Sequence, residues 1–157
     1  MFFGVGGHPG FKVPFQQEER FEDYYLAFGE KHVSTRAGHT GSCFLSGMDK
    51  DFLLKDGYRL PLAHEMFDDD AIVLKNMADK VTLMSDKGGR KIEVSFPDMR
   101  YLGIWHMPRT KAPYICIEPW TSLPSRQDII EDIQYKSDLI MLEAGKSYQN
   151  EWSISVL

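Results

Sequence analysis

Two short segments of the chain combine residue types that can move protons. The first is Gly6-Gly7-His8-Pro9-Gly10-Phe11. Its glycines let the backbone turn tightly beside an imidazole, and Pro9 pushes His8 toward an extended conformation. The segment reads either as a histidine held rigidly at the mouth of a pocket or as a turn with an incidental histidine. The second is Cys116-Ile117-Glu118-Pro119-Trp120. Tyr114 to Ile117 is an apolar run of the kind that forms a buried strand, and Glu118 stands at its end, before Pro and Trp. A carboxylate there is unfavourable unless partnered or used. Burial raises its pKa, which suits a general base. The alternative is a strand-end acid that reaches water.

The remaining polar groups offer less. Asp68, Asp69 and Asp70 precede an apolar run. A calcium loop needs alternating acids over a longer stretch, so the triplet reads as a solvated loop in which Asp70, next to the strand, is the residue that could point inward. His64-Glu65 is not a zinc-protease motif, because Asp68 stands where the second histidine is needed. His32, His39 and His106 share no ligand-like spacing, and no metal is expected. Spacing alone allows a Cys43–His39 nucleophilic pair, in a loop that Gly41 and Ser42 make flexible. The glycines at 4, 6 and 10 miss the dinucleotide pattern, so no phosphate loop is expected.

The elements that must position these residues are short strands. Lys91 to Phe96 alternates strictly, with Ile92, Val94 and Phe96 on one face. Val81 to Met84 precedes it, and Ser85 to Arg90 between them carries the glycines of a hairpin. Tyr24 to Phe28, Ala71 to Lys75, Tyr101 to Trp105, Tyr114 to Ile117 and Trp152 to Val156 read as further strands, and Phe2 to Gly10 as a strand running into the His8 turn. Ser125 to Ile133 differs. Ile129, Ile130 and Ile133 fall at helical spacing behind a possible Ser125 N-cap, which predicts a short helix. The pattern is one all-β, mainly antiparallel domain with minor helix.

Bulk properties set limits. A chain of 157 residues supports one domain with a sizeable core. Hydrophobic residues at 43% and charged residues at 26% are ordinary for a globular protein. A net charge of −5 provides no attraction to nucleic acid or to an anionic membrane. Two cysteines, Cys43 and Cys116, make no disulfide framework, and reduced thiols predict a cytoplasmic location. No apolar run reaches the length of a membrane span, and the first residues do not read as a signal peptide. The abrupt start, with a strand leading straight into the His8 turn, predicts that an N-terminal portion precedes this sequence.

Taken together, these segments resemble one family. Phe3 to Phe11 is similar to the "GGHPAF" segment of LacX-type aldose 1-epimerases. Leu60-Pro61-Leu62 with Phe67 and Asp70-Ala71-Ile72 resembles their "LF..DALI" segment. Leu102-Gly103-Ile104-Trp105 and Cys116 to Trp120 resemble "LGIW" and "CIEPW", and Leu142 to Ile154, with Gly145 and Trp152, resembles the closing strands. Order and spacing agree over essentially the whole chain. Gly10 departs from the usual alanine.

The resemblance implies a β-sandwich of the galactose mutarotase-like supersandwich type, of which residues 1–157 would be the C-terminal half, without the earlier strands and their hydroxyl-binding Arg and His. It implies that His8 is the catalytic acid, Glu118 the catalytic base and Asp70 a binder of sugar hydroxyls; the aromatic face of Trp120 could stack on a sugar. It also implies a reaction without cofactor, the interconversion of hexose anomers, with weak activity in this chain alone. A non-catalytic carbohydrate-binding module and an inactive remnant are the alternatives, and open strand edges predict self-association. The mechanism requires His8 and Glu118 to face one sugar-sized pocket within roughly 9 Å of each other, with Asp70 at its rim.

Overall fold

A computed structural model describes residues 1–31 and 33–157; His32 lies outside the described residues. Among the described residues thirteen strands follow one another: β1 Phe2–Phe3, β2 Gly10–Lys12, β3 Tyr24–Phe28, β4 Ser34–Arg36, β5 Lys50–Phe52, β6 Arg59–Pro61, β7 Ile72–Lys75, β8 Lys80–Ser85, β9 Ile92–Ser95, β10 Tyr101–Trp105, β11 Tyr114–Trp120, β12 Ile140–Met141 and β13 Ser153–Val156. Single 3-10 turns at Phe21–Asp23 and His64–Phe67 are the helical elements among the described residues, and no helix there is long and apolar enough to cross a membrane.

Two sheets face each other. One has the order β2-β11-β10-β7-β4-β5, the other β13-β9-β8-β3-β6, and β1 pairs separately with β12. Neighbouring strands are antiparallel throughout, as in the β10–β11, β7–β10 and β8–β9 pairs. The alternation read from the sequence builds the core between the sheets. Ile115, Ile117, Leu102, Ile104, Ile72 and Leu74 come from the first sheet, and Leu26, Phe28, Val81, Leu83 and Val94 from the second, all in one buried cluster with Phe96. The β8–β9 hairpin forms where the glycines of Ser85 to Arg90 predict it.

The expected helix over Ser125 to Ile133 is not present. The segment is tied to a neighbouring loop in an extended form instead. Leu45 N donates to Ser125 O at 3.0 Å and Gln127 N donates to Leu45 O at 3.0 Å, which makes Arg126 a bridge partner of Leu45. The Arg126 guanidinium grips Asp128, and its backbone N–H donates to Glu131 Oε2 at 3.2 Å. A helix this short gains little after nucleation unless its apolar face is packed. Here Ile129, Ile130 and Ile133 are all exposed.

The first sheet is two-sided. Antiparallel register places Glu118 beside Gly103, Gly103 beside Val73, Cys116 beside Trp105 and Gly10, and Trp120 beside Tyr101. Because side chains alternate along a strand, these residues share the face opposite the core. A smaller cluster of Ala37, Val73 and Leu123, with Trp120 and Tyr101 against it, covers part of that outer face.

Candidate functional site

His8 and Glu118 meet on the outer face because the chain before β2 rides along β11. Gly7 N donates to Pro119 O at 3.0 Å, and Ile117 N donates to Pro9 O at 3.2 Å. The backbone on each side of His8 is thus fastened to the residues flanking Glu118. One register further on, Val5 and Thr121 exchange backbone and hydroxyl hydrogen bonds. The result is a 3.2 Å separation between His8 Nε2 and Glu118 Oε1. The His8 side chain is 64% exposed and touches the edge of Trp105, whereas Glu118 is 4% exposed.

That approach is close in distance without being an aligned hydrogen bond. Glu118 Oε1 is buried and accepts no hydrogen bond among the described residues. An acceptor left in that state is unfavourable. Burial is the main cause that pushes the Glu118 carboxyl above the usual carboxylate range; the adjacent His8 opposes the shift, and the negative charge of Asp70 adds to it. Cys116, two residues earlier on the same face, has its thiol pushed up to about 11 by burial and by the Glu118 charge. A ring nitrogen of His8, Cys116 Sγ and a Glu118 oxygen lie within 4.8 Å of one another, so the fold assembles a donor set that no spacing in the sequence displays.

Trp120 lies flat in this layer. A Cβ on Gly103 would come within 2.8 Å of its ring, and one on Gly6 within 2.6 Å. Both positions therefore have to be glycine for the indole to lie where it does. An open cleft of about 340 Å³ lies between the Gly4 to His8 run, Trp120 and Ser122. His8 lines this cleft and Glu118 does not, so the sugar-sized opening lies beside the pair.

Asp70 stands apart from that cleft. It holds a left-handed backbone (φ 83°) just before β7, and its Oδ2 accepts from the Cys43 thiol at 3.6 Å. It is near enough to influence Glu118 and His39 electrostatically. Asp69 lines a separate cleft of about 330 Å³ with Arg36, His39 and Lys50. Cys43 is thus partnered by a carboxylate. His64 and His106 are structural by position: His64 Nδ1 donates to Glu22 Oε1 at 3.1 Å and His106 Nε2 donates to Ala112 O at 2.8 Å, inside an aromatic cluster with Phe21 and Tyr114. The sequence reading missed Trp105 and Cys116 as neighbours of His8. The available signal was parity, since Cys116, Glu118 and Trp120 are spaced by two along one strand.

No family model matches the chain. Among curated relatives, the plasmid and chromosomal LacX proteins of Lactococcus lactis subsp. lactis are each 31% identical over 151 residues, which is 93% of this chain and 50% of theirs. Among solved structures, a galactose mutarotase related enzyme from Lactobacillus acidophilus superposes with a TM-score of 0.90 at 29% identity, over all of this chain and 52% of the other. Over nearly its whole length the chain is thus similar to one half of LacX-type, galactose mutarotase-like proteins. A galactose mutarotase-like protein from Lactobacillus casei gives a TM-score of 0.88 at 31% identity, with 54% of its chain covered. A galactose mutarotase-like protein from Clostridium acetobutylicum, at 15% identity and a TM-score of 0.61, shares the fold. The chain spans about half the length of the curated relatives it matches.

Proposed function

We propose that this chain carries the acid–base pair of an aldose 1-epimerase that interconverts the α and β anomers of a hexose. The observation that carries the reading is the 3.2 Å approach of an exposed imidazole to a buried carboxylate whose oxygen has no hydrogen bond. The anomeric oxygen and the ring oxygen of a sugar are bonded to one carbon and lie roughly 2.3 Å apart, so two groups this close can each reach one of them at about 3 Å.

In this scheme Glu118 takes the proton from the anomeric hydroxyl. The electron pair of the broken O–H bond forms the second bond of the C1 carbonyl, the bond from C1 to the ring oxygen breaks with its pair going to that oxygen, and protonated His8 delivers its proton there. Rotation about C1–C2 and closure on the other face regenerate the ring with the two residues in exchanged roles. The raised pKa of Glu118 brings its basicity closer to that of imidazole, which favours proton transfer in both directions. Trp120, beside the cleft, offers an aromatic face to the apolar side of a sugar ring. Asp70 acts through its charge and as a candidate hydroxyl partner for a sugar that extends toward β7.

Polarimetry on freshly dissolved α-galactose and α-glucose tests the proposal. The expected result is equilibration above the spontaneous rate, lost in Glu118→Gln and His8→Ala. Saturable sugar binding with no acceleration by the unaltered protein would replace the epimerase by a carbohydrate-binding module.

A further inference from the structure

Proton transfer by His8 and Glu118 leaves Cys116 without a task. It is buried, faces the same side of β11 as Glu118, and completes a triangle with the other two donors. We propose that His8, Cys116 and Glu118 form a binding site for a thiophilic divalent cation of the Zn²⁺ class, held by one imidazole nitrogen, one sulfur and one carboxylate oxygen.

The distances fit such an ion. Bonds of about 2.0–2.1 Å to nitrogen and oxygen put two corners of a tetrahedron roughly 3.3 Å apart; His8 Nε2 and Glu118 Oε1 are 3.2 Å apart. A bond of about 2.3 Å to sulfur asks for roughly 3.5 Å between sulfur and each other donor. One donor atom from each of His8, Cys116 and Glu118 lies within 4.8 Å of the other two, so closing the cage needs a shift on the order of 1 Å. An independent observation points to the same centre: Glu118 Oε1 is buried without a hydrogen bond, so its lone pairs are unused. His8 is exposed, which leaves a fourth position open to water.

The donor chemistry selects the ion. A sulfur and an imidazole suit Zn²⁺ and its neighbours in the transition series, whereas Mg²⁺ and Ca²⁺ require a shell of oxygens that this face lacks. On binding, the Cys116 S–H bond breaks, the sulfur–metal bond forms and the proton leaves to solvent; no electrons change hands. The bound ion occupies both groups that would meet the sugar. Inhibition of turnover follows from that, and this consequence alone rests on the function proposed above.

Cobalt titration of the full chain tests the site without any sugar. Co²⁺ replaces Zn²⁺ in tetrahedral sites and reports a sulfur ligand through a thiolate-to-metal charge-transfer band in the near ultraviolet. The expected band saturates at one Co²⁺ per chain and is bleached by Zn²⁺ but not by Mg²⁺. It survives Cys43→Ser and is absent in Cys116→Ser. Because Cys116 is buried and its replacement can disturb folding, His8→Ala provides the second arm. With far-ultraviolet circular dichroism unchanged, it should weaken Co²⁺ binding at least tenfold. No band in the unaltered protein, a band that persists in Cys116→Ser, or an unchanged affinity in His8→Ala overturns the proposal. A protein that binds cobalt in this way yet does not equilibrate sugars keeps the metal site and loses the epimerase.

Discussion

β11 and β13 each alternate apolar residues along a short strand, yet Ile115 and Ile117 of β11 are fully buried, while Ile154 and Val156 of β13 are 45% and 72% exposed. Register puts Ile154 opposite Val94 and Val156 opposite Ile92, so the apolar side chains of β13 point to the same side as the core. What differs is the surroundings. β11 has β10 along one edge and β2 with the Val5 to Pro9 run along the other, whereas β13 pairs with β9 alone. Burial belongs to a strand's place in the sheet more than to its pattern. The same enclosure that buries Ile117 also buries Glu118 beside it, which makes a strand-end acid a perturbed one.

The largest expected effect breaks the β11 side of this comparison chemically. In Glu118→Gln, turnover of an aldose should fall by about 10²–10⁴-fold, read by polarimetry, while the urea midpoint stays level or rises, because a buried carboxylate without a hydrogen bond is replaced by a neutral amide. A midpoint that collapses would make Glu118 a structural acid.

Next comes a paired truncation. Ile117→Ala should lose about 2–5 kcal/mol, the range for a packed core residue. Ile154→Ala should lose well under half of that, since the methyls it removes are already in water in part. Equal losses in urea unfolding would mean that β13 is covered in solution. The open edge of β13 gives a related expectation: self-association, which Val156→Lys should reduce by placing a charge at an exposed edge position. Sedimentation velocity of the two proteins at matched concentrations reads the difference, and a monomer in both cases removes β13 as the contact.

Gly10→Ala should change little and in the favourable direction. A Cβ there meets only the Cys116 sulfur, at the ordinary contact distance of 3.6 Å. A stabilisation of about 0.4–1 kcal/mol is expected from the less flexible unfolded chain, with no loss of turnover.

The smallest effect concerns the sheet away from the site. Asp23 has its carboxyl pulled down to about 2, first by Lys87 and then by the Arg20 backbone N–H. The sign follows from linkage: a carboxyl lowered on folding adds stability above its ordinary value near 3.8, and this is lost as pH falls toward 2. Lys87→Met should flatten the fall in unfolding free energy across that window by lowering the value at pH 7 slightly while leaving the value near pH 2 unaltered. Identical acid curves would remove Lys87 as the cause.

The strands from β7 to β11 were legible because each is a short run, continuously apolar or alternating, set between turn residues. The Ser125 to Ile133 segment was misread because three isoleucines at helical spacing describe a face, and a face forms a helix only if something packs on it. In this fold the backbone groups beside those isoleucines bond to Leu45, and the isoleucines remain in water. His8 and Glu118 could be picked out by residue type and neighbours. Their separation could not, and neither could the position of Asp70 outside the cleft beside them.

The amino-acid sequence by itself determined an antiparallel all-β architecture and marked an imidazole in a glycine turn and a carboxylate at the end of an apolar strand, because local stereochemistry and side-chain alternation act over a few residues. Only the tertiary structure decided that Gly7 and Pro9 bond to Pro119 and Ile117, that His8 therefore comes to 3.2 Å from Glu118, and that Cys116 joins them. Such contacts depend on which strands become neighbours. That is settled by burying the whole core at once, and no segment of the sequence carries it alone.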